Sequence, residues 1–286
     1  MAATIKKVGV VGCGLMGSGI AQVAAQYGLE TLVAEANEDL LGKGIGRIQG
    51  FVGKDIEKGK ITRDEGDAIL KRVKGTTNLE DFADCDLVIE AIVENMDEKR
   101  KLYSRLDLIC KPETILASNT SSLPVIEMAA ATKRADRVAG LHFFNPVPVM
   151  KLVEVVKTIS TSDDTIETLK AFGATVGKTV VLAKDTPGFI VNLLLVPYLL
   201  DAIRVYENGV ASREDIDNGM KLGCGHPMGP LTLSDFIGLD TLYYIANIMF
   251  EEFKDSRYAA PPLLRRMVLA GQYGRKTGKG FYDYNQ

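Results

Sequence analysis

The sequence predicts an α/β protein: an N-terminal doubly wound sheet with an inserted helical arm, followed by an all-helical C-terminal domain. Three observations carry this. The chain opens on an apolar run that meets glycines at G-x-G-x-x-G spacing. Strand and helix patterns then alternate through the first two-thirds of the chain, as in a parallel sheet covered by helices. After Lys184-Asp185-Thr186-Pro187-Gly188 the alternation stops and nearly every segment reads as helix. Pro and Gly break the preceding strand there. A boundary at about residue 186 divides the chain into 1–186 and 187–286. A length of 286 residues suits two modest domains.

In chain order, Val8 to Val11 reads as the first strand and Gly12, Gly14 and Gly17 as the turn into a helix carrying Ile20, Val23, Ala24 and Tyr27. Gly12 permits the tight turn. Gly14 lets backbone approach a pyrophosphate, and Gly17 lets the helix pack on the strand. The helix N-terminus offers N–H groups and a positive dipole end to phosphates. A second apolar run ends on Glu35, where a carboxylate can bond ribose hydroxyls. These features predict a Rossmann-like dinucleotide site. Glu35 favours NAD over NADP, since a 2′-phosphate meets a like charge, and no Arg stands among the residues just after it.

The segment from Glu38 to Lys74 reads as the helical arm, with Lys43, Arg47, Lys54, Lys58 and Lys60 along it. Further strands are expected at Leu87–Ile92, Ile115–Ser118, Val138–Phe143, Leu152–Val156 and Val180–Ala183. Helices are expected from Asp97 to Ile109, Leu123 to Ala131 and Thr165 to Val176. Beyond the boundary, Phe189 to Asn208 reads as the first helix of the second domain.

Composition excludes several classes. The chain is 46% hydrophobic and 25% charged with a formal net charge of −3, which argues against a general nucleic-acid binder. The four cysteines form no C-x-x-C and read as reduced thiols rather than a disulfide framework. With only His142 and His226, a His-rich metal site is excluded. The chain enters its first strand almost directly, without a basic-then-apolar leader. The longest apolar stretch, Phe189 to Leu200, falls short of the roughly 20 residues of a membrane span. A cytoplasmic protein is expected.

Four segments carry candidate chemistry. His142 ends a predicted strand in LHFFNP, and strand C-terminal ends line the ligand crevice of a doubly wound sheet. Glu154 stands among valines in LVEVV, where an unpaired carboxylate is costly to bury. A histidine partner removes that cost and orients the imidazole, as in an acid–base dyad; otherwise Glu154 faces solvent on an edge strand. Asn192 is a lone amide inside FIVNLLLV and needs partners, either a helix contact or a substrate oxygen. SNTSSL, Ser118 to Leu123, follows a strand and reaches the crevice mouth; Ser121 or Ser122 also suits an N-cap.

The segments GCGLMGSGIAQ, CDLVIEAIVEN, ILASNTSSL, LHFFNPVPVMKLVEVV, DTPGFIVN, HPMGPLTLSDFIGLD and GRKTGKGFYDY occur in this order and span nearly the whole chain. Together they resemble the 3-hydroxyacyl-CoA dehydrogenase family. The resemblance implies reversible oxidation of a short (3S)-3-hydroxyacyl-CoA with NAD, and a homodimer formed through the helical domain. It assigns His142 as catalytic base with Glu154 as its partner, and Ser121 and Asn192 to the substrate, Ser121 also to the nicotinamide. Cofactor contacts are implied at the glycine loop with Leu15 and Met16, and at Glu35, Glu94, Lys99, Asn145 and Lys276. Lys54 and Lys58 match positions near the CoA moiety. Two positions depart from the pattern: Glu35 replaces the usual aspartate, and Phe51 stands where a polar CoA contact is common. Two other readings are a dehydrogenase of a free β-hydroxyacid, a class that generally uses a catalytic lysine, and a non-catalytic NAD-binding sensor.

Overall fold

The computed structural model describes residues 3–285. The chain divides after Thr186 into two compact units. The first is built on an eight-stranded sheet in the order β3-β2-β1-β4-β5-β6-β7-β8. Its elements are β1 (Lys7–Val11), α1 (Leu15–Gln26), β2 (Glu30–Ala34), α2 (Glu38–Glu57), α3 (Arg63–Arg72), β3 (Val73–Thr76), β4 (Leu87–Glu90), α4 (Met96–Ile109), β5 (Ile115–Ser118), α5 (Val125–Ala129), β6 (Val138–Phe143), β7 (Leu152–Lys157), α6 (Asp163–Thr175) and β8 (Thr179–Lys184).

Strands β1 to β6 run parallel in this sheet. Their C-terminal ends therefore share one edge, and the strand order reverses direction between β1 and β4. That switch point is where open α/β sheets bind ligands. The central strands are apolar on both faces, and Val8, Val10, Leu87, Ile89 and Leu141 are fully buried in one core.

Four expectations need correction. The arm from Glu38 to Lys74 is two helices and then β3, a short edge strand. Its sequence VKGT continues straight from α3 and is half exposed, so it lacks an apolar signal. The sheet is mixed, because β7 runs antiparallel to β6. Residues 144–151 join those strands without a crossover helix, and a connection that short returns antiparallel. Helix α5 begins only at Val125, after Pro124. Neither Ser121 nor Ser122 caps it; Asp185 accepts from the Val125 and Ile126 N–H groups (2.9 and 2.7 Å).

The second unit is helical: α7 (Val191–Glu207), α8 (Arg213–Asn218), α9 (Pro230–Ile237), α10 (Leu239–Phe253) and α11 (Pro262–Leu269). Leu199, Leu200, Leu231, Leu239, Leu242, Met249 and Tyr258 form its core. Two buried carboxylates fasten it. Asp217 accepts from the N–H groups of Leu231 and Thr232 (2.8 and 3.0 Å) and so caps α9. Asp235 accepts from the N–H groups of Phe281 and Tyr282 and from the Tyr284 hydroxyl, binding the C-terminal tail. Burial pushes the Asp235 carboxyl above the ordinary range. Among the described residues no helix is long and apolar enough to cross a membrane.

Candidate active site

The glycine loop joins β1 to α1. Gly12 has φ +94°, and a Cβ there would meet the Ala91 carbonyl. A Cβ on Gly17 would overlap the Gly12 carbonyl oxygen, so only glycine lets α1 start this close to β1. At Gly14, by contrast, a Cβ would meet nothing within 4 Å. This open face looks onto a cavity of about 880 Å³ whose lining includes Gly12, Gly14, Glu35, Ile92 and Val93. No side chain caps the N-terminus of α1. Open backbone, an uncapped helix N-terminus and a carboxylate at the tip of β2 fit a dinucleotide.

Glu35 folds back on the loop. Its Oε1 accepts from Cys13 N–H (2.6 Å) and its Oε2 from Ala36 N–H (3.1 Å). Its side chain, one methylene longer than aspartate, thus spans from β2 to the loop. Arg47 on α2 donates to the Cys13 carbonyl (3.1 Å). This arginine was not anticipated at the loop, because nothing in the sequence spacing links position 47 to position 13. The Cys13 side chain is sealed inside, and burial, with the charge of Glu35 nearby, pushes its thiol up to about 11.

His142 and Glu154 occupy opposite positions in the antiparallel β6·β7 ladder. His142 Nδ1–H donates to Glu154 Oε2 (2.7 Å). His142 is 5% exposed and Glu154 is fully buried. The edge-strand alternative for Glu154 is therefore excluded, since β8 covers β7. The Phe144 ring lies 4.5 Å from the imidazole, centroid to centroid.

The turn after β5 is tied down from several sides. Asn119 accepts from Phe143 N–H (2.9 Å), which joins the turn to the strand bearing His142. Glu94 accepts from the Thr120 hydroxyl, from Ser121 N–H (3.3 Å) and from the Ser122 hydroxyl (3.5 Å). Lys99 reaches Glu94 at 3.1 Å and Glu90 at 2.5 Å. Only 1% of the Lys99 side chain is exposed. Glu90 was overlooked, although a carboxylate closing the apolar run LVIE gives the same signal as Glu154 in LVEVV.

Models of two domains cover this chain: the NAD binding domain of 3-hydroxyacyl-CoA dehydrogenase over residues 7–186 and its C-terminal domain over 188–284. The chain belongs to the 3-hydroxyacyl-CoA dehydrogenase family. It is 51% identical to a 3-hydroxybutyryl-CoA dehydrogenase of Mycobacterium tuberculosis, over 99% of this chain and 100% of that one. It is 48% identical to the mitochondrial hydroxyacyl-coenzyme A dehydrogenase of Sus scrofa, over 98% and 91% of the two chains. The crystal structure of the (S)-3-hydroxybutyryl-CoA dehydrogenase of Ralstonia eutropha superposes with a TM-score of 0.95 at 44% identity, covering 99% of this chain and 100% of that one.

The remaining positions suggested by the 3-hydroxyacyl-CoA dehydrogenase pattern are distributed as follows. Leu15 and Met16 open α1. Asn145 is exposed on the segment after β6. Lys54 and Lys58 are exposed, the first in the last turn of α2 and the second capping its end; Phe51, one turn earlier, is half buried. In the helical unit, Asn192 is half buried in the first turn of α7. Lys276 donates there to Asp240 (2.8 and 3.1 Å) and to the Thr241 hydroxyl (2.7 Å).

Proposed function

We propose that the chain is an NAD(H)-dependent dehydrogenase that interconverts (3S)-3-hydroxybutyryl-CoA, or a similarly short 3-hydroxyacyl-CoA, and the 3-ketoacyl-CoA, here acetoacetyl-CoA. The observation that carries this is the buried His142–Glu154 pair, 2.7 Å apart, at the sheet edge where the dinucleotide cradle also lies. When bound at the glycine loop and Glu35, NAD would supply the hydride acceptor for C3 of the hydroxyacyl group, and NADH the hydride donor in the reverse direction.

The protein's part is proton transfer and positioning. In oxidation His142 takes the C3 hydroxyl proton as the carbonyl forms; in reduction it gives the proton back. Glu154 accepts a hydrogen bond from Nδ1–H, which leaves Nε2 as the basic nitrogen, and its charge stabilises the imidazolium. Ser121 and Asn192 bond the substrate oxygens and hold a near-attack geometry. The glycine loop from Gly12 to Gly17 takes the pyrophosphate and Glu35 the adenosine ribose. Each carboxylate oxygen accepts more than one hydrogen bond, so the two backbone N–H groups on Glu35 leave capacity for ribose hydroxyls. Glu94, Lys99, Asn145 and Lys276 are assigned to the cofactor. Lys54 and Lys58 are assigned to CoA phosphates, and the unit after residue 186 to substrate binding and homodimerisation. The protein works in the cytoplasm.

The free-acid class relies on a lysine, and the buried lysines of this chain are committed elsewhere. Lys99 is paired with two carboxylates. Lys178 donates to the Val147 and Met150 carbonyls (2.5 and 2.7 Å). Oxidation of NADH with acetoacetyl-CoA, beside free acetoacetate, tests the proposal. Turnover of the thioester alone is expected, and preference for the free acid contradicts it.

A further inference from the structure

A second buried carboxylate stands at the same sheet edge as His142 and has no part in the proton chemistry. Glu90 is the last residue of β4 and is 1% exposed. Its Oε1 accepts from the Lys99 ammonium (2.5 Å) and from Ile92 N–H (2.8 Å). Its Oε2 accepts from the Ser118 hydroxyl (2.7 Å), on the residue paired with it across the β4·β5 ladder. Its backbone carbonyl accepts from Asn119 N–H (2.9 Å). Glu90 therefore grips the start of the turn 118–122 with both its side chain and its backbone. Through Lys99 it also reaches Glu94, which holds the far side of that turn at Thr120, Ser121 and Ser122.

Stability alone does not account for this arrangement. A buried ion pair repays its desolvation poorly, and apolar residues of similar volume often serve the fold as well or better. What the pair fixes is position. Lys99 lies between two carboxylates, and each limits its approach to the other. Without the Glu90 charge, Glu94 is the remaining anionic partner of Lys99 and is drawn away from the turn.

We propose that Glu90 is a positioning residue for the reaction: it holds Lys99 and Ser118 so that Glu94 and the turn present Ser121 in the working geometry. This rests on the assignment of Ser121 to substrate and nicotinamide. Glu90 itself touches neither.

The test compares Glu90→Gln with the wild type in four measurements: kcat and KM with acetoacetyl-CoA, affinity for ADP-ribose, and Tm. Glutamine keeps an acceptor for Ile92 N–H but removes the charge and turns an amide toward Ser118. We expect kcat to fall about 10-fold to 100-fold, the scale of a small misplacement of a reacting group. ADP-ribose, which reads the glycine-loop end alone, should bind within about twofold of the wild type. A purely structural residue would lower Tm and yield while leaving kcat of the folded enzyme unchanged. Ser118→Ala removes the Oε2 tie without touching the charge, and should lower kcat about threefold or more. Combined with Glu90→Gln it should add little, because both break one network. Wild-type kcat in folded Glu90→Gln overturns the proposal. If that variant does not fold, wild-type kcat in Ser118→Ala overturns it. Failure of the wild type to turn over the thioester overturns the assigned reaction, and this inference with it.

Discussion

His142 meets Glu154 because the two hold opposing positions in an antiparallel ladder. Directly opposed side chains lie on the same face at close range. Strand register therefore fixes the pair, and the carboxylate is shielded from water, where its charge acts strongly on the imidazole. Glu154→Gln preserves shape but loses the charge that stabilises the imidazolium. It should lower kcat about 100-fold, with KM for acetoacetyl-CoA little changed; steady-state kinetics on the folded variant checks this. In the proposed assignment Glu35 meets the adenosine ribose, where NADPH carries its 2′-phosphate. Arg47 is close by but donates to the Cys13 carbonyl. NADH should exceed NADPH in kcat/KM by about tenfold or more, and equal efficiencies would contradict the assignment of Glu35.

At the scale of elements, α2 turns Leu41, Gly44, Ile48 and Val52 inward. Lys54 and Lys58, spaced i,i+4, share a face and stand in water. Neutralising both as glutamine should raise KM for acetoacetyl-CoA and flatten its rise with salt, since exposed charges are screened. An unchanged salt response removes them from the CoA site. The elements that were legible in the sequence are those whose pattern answers to burial. The apolar runs of β1, β4, β5 and β6 could be read directly, as could the polar intruders His142 and Glu154 among them. β3 was not legible, because a half-exposed edge strand continuing a helix has no period of its own. The direction of β7 was not legible either, since an apolar run looks the same in both directions. Lys99 was matched to the cofactor by position; its pairing with Glu90 and Glu94 was not legible, since those partners meet it only through the fold.

In the molecule as a whole, the chemistry-bearing residues of the first unit gather on one edge because its parallel strands all end there. Gly12, Glu35, Glu90, Ser118 and His142 lie at or near five successive strand ends. The helical unit leaves large apolar side chains in water, among them Leu194 (70% exposed), Val210 (72%) and Leu222 (84%). Side chains of this kind are what the proposed homodimer would cover. The native mass at micromolar concentration should be that of a dimer, measurable by sedimentation equilibrium, and a monomer would contradict the proposed assembly. The two-unit plan was legible because the alternation of strand and helix patterns stops at Lys184 to Gly188. The clasp of Asp217 and Asp235 on the helical unit was not, since each carboxylate finds its partners through the fold.

The measurement that bears most directly on the account is NADH oxidation with acetoacetyl-CoA by the wild type and by His142→Gln, with NADH binding followed in parallel. The wild type should turn over the thioester and leave free acetoacetate untouched. The variant should bind NADH normally and lose about 10² to 10⁴ in kcat. Near-normal turnover by the folded variant would contradict His142 as the proton donor and acceptor.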